Sequence, residues 1–259
     1  MTPRDHIDLN SDLGESALPA HVDRDLALLQ IISSANIACG GHAGDEATMR
    51  QMIAAARDAN VAIGAHPSYP DRENFGRVSF KISAMDLQHA LRDQLEALLG
   101  VVAVLDASAA HVKPHGALYH DASQNAAVAE AVLSAIVDVG GFCAVIGPPG
   151  AVLLELAPRY YLTPIVEAFA DRRYEPDGRL RSRSVPGALI DDPHAAAAQA
   201  LALVRHAQVR CIDDTATAVF AETICIHSDT DNSPAIARSV RDLLEASGIA
   251  LAACRVWRA

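Results

Sequence analysis

Carboxylates, histidines, a lysine and paired glycines recur in short clusters along this 259-residue chain. The first cluster runs Asp8-Leu9-Asn10-Ser11-Asp12-Leu13-Gly14-Glu15. Asp8, Asn10 and Asp12 alternate, and on an extended segment alternate residues share one side. That arrangement suits a general base, a metal ligand set or contacts to a substrate amide. The plain alternative is a turn capped by Asp and Asn, and Glu15 reads equally well as a solvated loop residue. The second cluster, Asn36 to Asp45, carries Gly40, Gly41 and Gly44 around His42. Glycines just ahead of a helix let backbone N–H groups approach a carboxylate, although glycine pairs also make ordinary turns. No G-x-x-x-x-G-K-[ST] occurs, so any ATP is not held here in a P-loop.

Four further clusters follow. They are His66 with Pro67 and Ser68 ahead of Asp71-Arg72, Lys113-Pro114-His115-Gly116, Glu167 with Asp171-Arg172, and His227-Ser228-Asp229. His42, His66, His115 and His227 each succeed a different strand-like run. A lone histidine is usually structural, but four on one rim point to acid–base work or a metal. His111 and His120 are ambiguous, and the other five histidines read as surface. Lys113 ends an apolar run, so it should pair with a carboxylate or bound anion, or else snorkel to the rim. Arg72 and Arg172 offer forks for carboxylate or phosphate, while Arg181 and Arg183 read as solvated.

These clusters need elements to position them. Strand-like runs at Ile7–Asn10, Ala35–Cys39, Val61–Ala65, His111–Lys113, Phe142–Ile146, Thr163–Phe169 and Glu222–Ile226 alternate with helical stretches, and Ile249–Ala252 closes the series. Asp45 can cap a helix reaching about Ala59, Ser83 can cap one reaching about Leu99, and another runs from about Asn125 to Val139. Pro149 and Pro193 each suit a first helical turn. Asp171 to Leu189 reads as a long ordered loop. Seven or eight β-α units without a linker predict one α/β domain over 1–259, a closed (β/α) barrel with its site at the C-terminal face. An open doubly wound sheet is the alternative.

Composition narrows the function. Hydrophobic residues make up 51% and aromatics 4%, so Ala, Val, Leu and Ile must build the core. A net charge of −11 disfavours nucleic acid as a partner. No apolar run is long enough to span a membrane, and the charged start Met1–Asn10 does not read as a signal peptide. Five scattered cysteines without C-x-x-C fit reduced thiols and a cytoplasmic location.

The motifs Asp8-Leu9-Asn10-x-Asp12-Leu13-Gly14-Glu15, Ser34-Ala35-Asn36-Ile37-Ala38-Cys39-Gly40, His42-Ala43-Gly44-Asp45, Gly64-Ala65-His66-Pro67-Ser68 and His111-Val112-Lys113-Pro114-His115-Gly116-Ala117-Leu118-Tyr119 resemble the family of 5-oxoprolinase A subunits, the LamB/YcsF family. Asp71-Arg72 with Phe75-Gly76-Arg77, Phe169-Ala170-Asp171-Arg172-x-Tyr174, Gly187-Ala188-Leu189-Ile190 and Cys225-x-His227 continue the match in order. The resemblance implies a barrel related to the carbohydrate deacetylase-like fold. It implies ATP-dependent opening of the 5-oxo-L-proline lactam to L-glutamate, together with partner subunits B and C. Gly41 stands where the family usually has phenylalanine, Ala17-Leu18 where it has Phe-Gly, and Ser228 where it has glycine. These departures are expected to border the pocket.

On this reading Asp12, His66 and His115 activate water and move protons. Lys113, Arg72 and the Gly40–Gly44 amides hold the substrate carboxylate, and Asp8, Asn10 and His42 position the catalytic groups. Asn36, Gly44, Asp45, Asp171, Arg172 and His227 complete the expected substrate contacts. Analogy with the deacetylase-like fold allows a divalent metal at Asp12, His66 and His115. Self-association is left open. A metal-dependent deacetylase-like hydrolase acting alone, and a non-catalytic substrate-binding or regulatory subunit, are the competing readings.

Overall fold

The structure, a computed structural model, describes residues 5–183, 185–230 and 232–254. Part of the charged stretch read at Met1–Asn10 therefore lies outside the described residues. In chain order the elements are β1 (His6–Leu13), α1 (Pro19–Leu29), β2 (Ser34–Ala38), α2 (Glu46–Asp58), β3 (Ala62–His66), α3 (Ala84–Val104), β4 (Ala109–Val112), α4 (Gly116–Gln124) and α5 (Ala126–Val139). There follow β5 (Ala144–Gly147), α6 (Val152–Leu156), β6 (Thr163–Phe169), α7 (Pro193–His206), β7 (Gln208–Arg210), β8 (Ala216–Ala218), β9 (Thr223–Cys225), α8 (Ser233–Ala246) and β10 (Ala250–Leu251). Strands β1, β2, β3, β4, β5, β6 and β9 pair in parallel, and β9 returns to β1 through Asp8↔Thr223 and Asn10↔Cys225. The sheet closes as a seven-stranded barrel inside a ring of helices, not as an open sheet. Among the described residues β10 pairs only with the start of β1, and β7 with β8 forms an antiparallel hairpin.

Local chemistry explains most of the elements. Asp45 accepts from the Thr48 amide and Thr48 bonds back to the Asp45 backbone, a capping box that starts α2. Met49, Met52, Ile53 and Ala56 then recur on its buried side. α8 turns Ile236, Ala237, Val240 and Leu244 inward in the same way. Between helices and strands lies one continuous apolar layer, to which β1 contributes Ile7, Leu9 and Leu13. Among the described residues no helix is long and apolar enough to cross a membrane.

Several sequence expectations need correction. Pro149 does not open a helix; α6 begins at Val152, after Ala151. The stretch after Lys113 contains an extra helix, α4, which breaks at Asn125, the residue that caps α5. The β7–β8 hairpin is too short to show a periodic pattern. The 171–189 segment, read as a loop, makes isolated bridges, Arg172↔Leu189 and Tyr174↔Leu180, and packs over the barrel mouth.

Candidate active site

A cavity of about 560 Å³ opens at the C-terminal ends of the barrel strands. It is lined by Asp12, His66, Lys113, His115, Arg172 and His227, all anticipated from sequence. Glu15, Tyr119, Phe169 and a set of arginines, Arg77, Arg181 and Arg183, join them. The arginines correct the expectation that Arg181 and Arg183 are solvated: the loop carrying them folds over the mouth. Arg77 and Arg183 both hold Asp229, at 3.0 and 2.5 Å. Arg172 donates to the Arg181 carbonyl at 2.7 Å, while its buried Nε has no partner among the described residues.

Beneath the cavity the barrel interior is polar, because the pleat of β1 turns Asp8, Asn10 and Asp12 inward. Asp8, buried, accepts from Ser33, Ser34 and Thr223. Asn10 donates to Glu167 at 3.0 Å and to Thr223 at 2.7 Å. Asn36 donates to Asn10 and to Asp12, each at 2.8 Å, and accepts from His111 at 2.7 Å. Lys113 sits at the centre. Its ammonium lies 2.8 Å from Glu167 and 3.0 Å from Asp12, and donates to Cys225 Sγ at 3.2 Å. Tyr119 closes the network by donating to Glu167 at 2.9 Å. Asp8, Asn10 and Asn36 therefore support the site from below.

Charge follows from this packing. Burial works against the Lys113 ammonium, but Asp12, Cys225 and Glu167 outweigh it and hold it protonated well above the usual lysine range. Burial pushes Glu167 up, against the pull of Lys113. Burial would also raise Asp12, yet the carboxyl lies well below its ordinary value because of neighbouring His66 and Lys113. Burial lowers His66 to about 3. That ring is neutral near pH 7, so Lys113 is the cation that keeps Asp12 ionised. Asp171 lies below its usual range: burial raises it, but His227 outweighs burial from 2.9 Å.

Beside Asp12 three imidazoles and one carboxylate converge. His66 Nε2 is 3.0 Å from His115 Nδ1 and 3.5 Å from Asp12. Glu15 lies 3.0 Å from His42 Nε2, 3.3 Å from His115 Nδ1 and 3.8 Å from His66 Nε2. His42 and His115 stack in parallel with ring centroids 3.7 Å apart. Phe75, a non-glycine residue at φ 56, turns its carbonyl to the His115 ring. Gly76 lies against the same rings: a Cβ there would come within 3.0 Å of His42 and 3.1 Å of His115. Glu15, His42, His66 and His115 form one possible ligand set, and Asp12, Cys225 and His227 another. The second already holds the Lys113 ammonium against Asp12 and Cys225, which leaves no place for a further cation. The anticipated set of Asp12, His66 and His115 is thus rearranged, with Asp12 on the lysine side.

Gly44, Asp45 and Arg72 lie elsewhere. Asp45 caps α2, and Arg72 donates to the carbonyls of Gly40 and Gly44. Gly40 N bonds to Ala43 O, so the glycine loop closes on itself, and none of Gly40–Gly44 lines the cavity. Of the three departures, only Ser228 borders the cavity, donating to the Asp12 carbonyl at 2.6 Å. A Cβ on Gly41 would meet Gln94 at 2.3 Å and Ser68 at 2.6 Å. Leu18 is exposed at the start of α1. Glu15, after β1, and Glu167, within β6, were visible in the sequence as acids, but no spacing signalled that Glu15 meets the histidines and Glu167 meets Lys113. Tyr119 lay unused inside a quoted motif.

The chain as a whole is similar to known proteins. The chain matches the LamB/YcsF family over residues 7–259. It is 42% identical over 251 residues to the A subunit of a 5-oxoprolinase from Methylococcus capsulatus, covering 97% of this chain and 96% of that protein. A lactam utilization protein from Thermus thermophilus superposes with a TM-score of 0.88 at 36% identity, covering 96% of this chain and all of that one. A family 4 carbohydrate esterase from Streptomyces lividans in complex with acetate shares the fold alone, at TM-score 0.50 and 14% identity over 96% of this chain and 93% of that one. With its motifs, its barrel and its full-length match in agreement, the chain belongs to the LamB/YcsF family.

Proposed function

We propose that this chain is the A subunit of a 5-oxoprolinase that opens the lactam of 5-oxo-L-proline to L-glutamate, using ATP and partner subunits B and C. The observation that carries the reading is Asp12, fixed between Lys113 and His66 at the floor of an arginine-rimmed cavity. A small anionic substrate needs a cation for its carboxylate and a base beside its reactive carbon. Arg172, with an unpartnered buried donor facing this region, suits the carboxylate. Asp12 suits the base, held ionised by the Lys113 ammonium at 3.0 Å, with His66 and His115 beside it. The names of the full-length relatives support the same reaction.

An unstrained lactam is a poor electrophile. Transfer of a phosphoryl group from ATP to the lactam oxygen makes the ring carbon reactive. Water then adds, giving a proton to Asp12, and the C–N bond breaks with its electron pair and a proton going to nitrogen. The resulting acyl phosphate takes a second water and releases phosphate and glutamate. This chain has no Walker-type P-loop, so any nucleotide it meets is not held in one.

The experiment is glutamate release from 5-oxo-L-proline by this chain alone and with folded, co-purified B and C subunits, each with and without ATP. Release that needs all three subunits and ATP is expected. No release from the complete mixture contradicts the proposal. Release by this chain alone without ATP, abolished by chelation, contradicts it in favour of an independent metal-dependent hydrolase.

A further inference from the structure

His66 and His115 each commit one ring nitrogen to a backbone carbonyl. His66 Nδ1 lies 2.8 Å from Lys113 O, and His115 Nε2 lies 3.0 Å from Phe75 O. A carbonyl oxygen only accepts, so those two nitrogens carry the hydrogens. In the neutral rings His66 Nε2 and His115 Nδ1 are then bare lone pairs. They face each other at 3.0 Å, with Glu15 Oε1 at 3.8 and 3.3 Å respectively. Three acceptors thus point at one another with no donor of their own between them. His42 Nε2 lies 3.0 Å from the same carboxylate oxygen, but its ring stacks parallel to that of His115 with centroids 3.7 Å apart, so one ion cannot lie in both ring planes and His42 supports Glu15 from outside. Such a cluster needs a cation at its centre.

The spacing fits a metal ion. With metal–nitrogen bonds of about 2.0–2.1 Å, the edge of a tetrahedron of ligands is about 3.3 Å. The three separations among His66, His115 and Glu15, 3.0, 3.3 and 3.8 Å, bracket that edge. Imidazole N–H groups held by backbone carbonyls are also the usual outer support of metal-bound histidines, because they fix tautomer and ring plane. The packing of Gly76 against the rings and the left-handed Phe75 backbone give the cluster a rigid wall.

We infer that Glu15, His66 and His115 bind one divalent transition ion of the zinc class, at the edge of the cavity and next to Asp12, with His42 supporting Glu15 from behind. Two imidazoles and one carboxylate favour zinc, cobalt or nickel over magnesium or calcium, which prefer all-oxygen sites. Glu15, His66 and His115 line the cavity, so the ion is reachable from it, whereas His42 is buried behind. The inference holds whichever substrate the cavity takes.

The test uses the full chain, stripped by chelator and titrated with Co²⁺, Zn²⁺ and Mg²⁺. Calorimetry gives stoichiometry, and visible absorption reports the cobalt ligand field. One Co²⁺ per chain is expected, with d–d bands of low-coordinate N/O ligation, displacement by Zn²⁺ and no displacement by equimolar Mg²⁺. His66→Gln and His115→Gln should each weaken binding by more than the ~10–100-fold typical of outer-support changes. His206→Ala, on the exposed end of α7, should leave it unchanged. Circular dichroism checks each fold, and Glu15→Gln serves if a histidine variant does not fold. Absence of cobalt bands in the wild-type chain overturns the proposal. So does equal cobalt affinity in the wild-type chain and a folded ligand variant.

Discussion

Replacing Lys113 by methionine removes the one cation between two buried carboxylates while keeping a side chain of similar length. In the folded protein the ammonium is 2.8 Å from Glu167 and 3.0 Å from Asp12, and Glu167 is fully buried. Removing one partner of a buried pair costs about 3–5 kcal/mol, chiefly the burden of the charge left behind. The cost can be worked separately. Without Lys113, burial raises Glu167 until it takes up a proton. Protonating at pH 7.5 a carboxyl whose unfolded pKa is about 4.3 costs about 4 kcal/mol. The folded variant then binds one proton more than its unfolded state, so the deficit grows with pH. It should change by about 1.4 kcal/mol per unit, falling to about 1.6 kcal/mol at pH 5.5. Urea unfolding of wild-type and Lys113→Met chains, followed by circular dichroism at pH 5.5, 6.5 and 7.5, reads both quantities. Glu167→Gln in the Lys113→Met background should recover most of the loss and flatten its pH dependence. A deficit under about 1 kcal/mol at pH 7.5, or one independent of pH, would refute the reasoning about this network.

Three other outcomes follow from neighbouring residues. His111 is buried neutral, its pKa lowered to about 4 by burial and by Lys113. Its folded pKa is depressed, so the stability it confers is present above about pH 6.5 and drains away as pH falls. Between pH 7 and 4.5 the wild-type chain should lose about 2.5 kcal/mol more than His111→Gln, as measured by urea unfolding. Gly64→Ala would place a Cβ 2.1 Å from His111 Nε2; a destabilisation of at least about 2 kcal/mol is expected from the displaced ring. Asp45→Ala should cost about 1 kcal/mol through the lost cap of α2. It should leave KM for substrate unchanged, since Asp45 lies outside the cavity.

Much of this architecture was readable in the chain itself. The strand–helix alternation predicted a barrel, because parallel strands buried on both faces carry compact apolar runs bounded by polar loops. Asp8, Asn10 and Asp12 were legible as one face because the pleat has period two. Their depth was not. Asp8 and Asn10 lie below the cavity because β1 extends from His6 to Leu13, longer than its apolar part. Asp12, His66, Lys113, His115 and His227 were legible as residues ending strands, which a barrel gathers at one mouth. Arg181 and Arg183 were hidden, since a polar loop gives no periodic sign of folding back over a site. The glycine loop misled for a similar reason: Gly44 at φ 83 is required by close approach to Ala38 O, not by a ligand. Gly41 stands where a neighbouring side chain, Gln94, fills the space a larger residue would take.

In the proposed function, chemistry takes place on this chain, at Asp12, and is not confined to partner subunits. Asp12→Asn keeps the shape of the side chain and removes the base. In the three-subunit enzyme with ATP, glutamate formation from 5-oxo-L-proline should fall by roughly 10²–10⁴-fold in kcat, while 5-oxo-L-proline binding by calorimetry stays within a few-fold of wild type. A kcat equal to that of wild type, or a loss confined to substrate binding, would contradict the account.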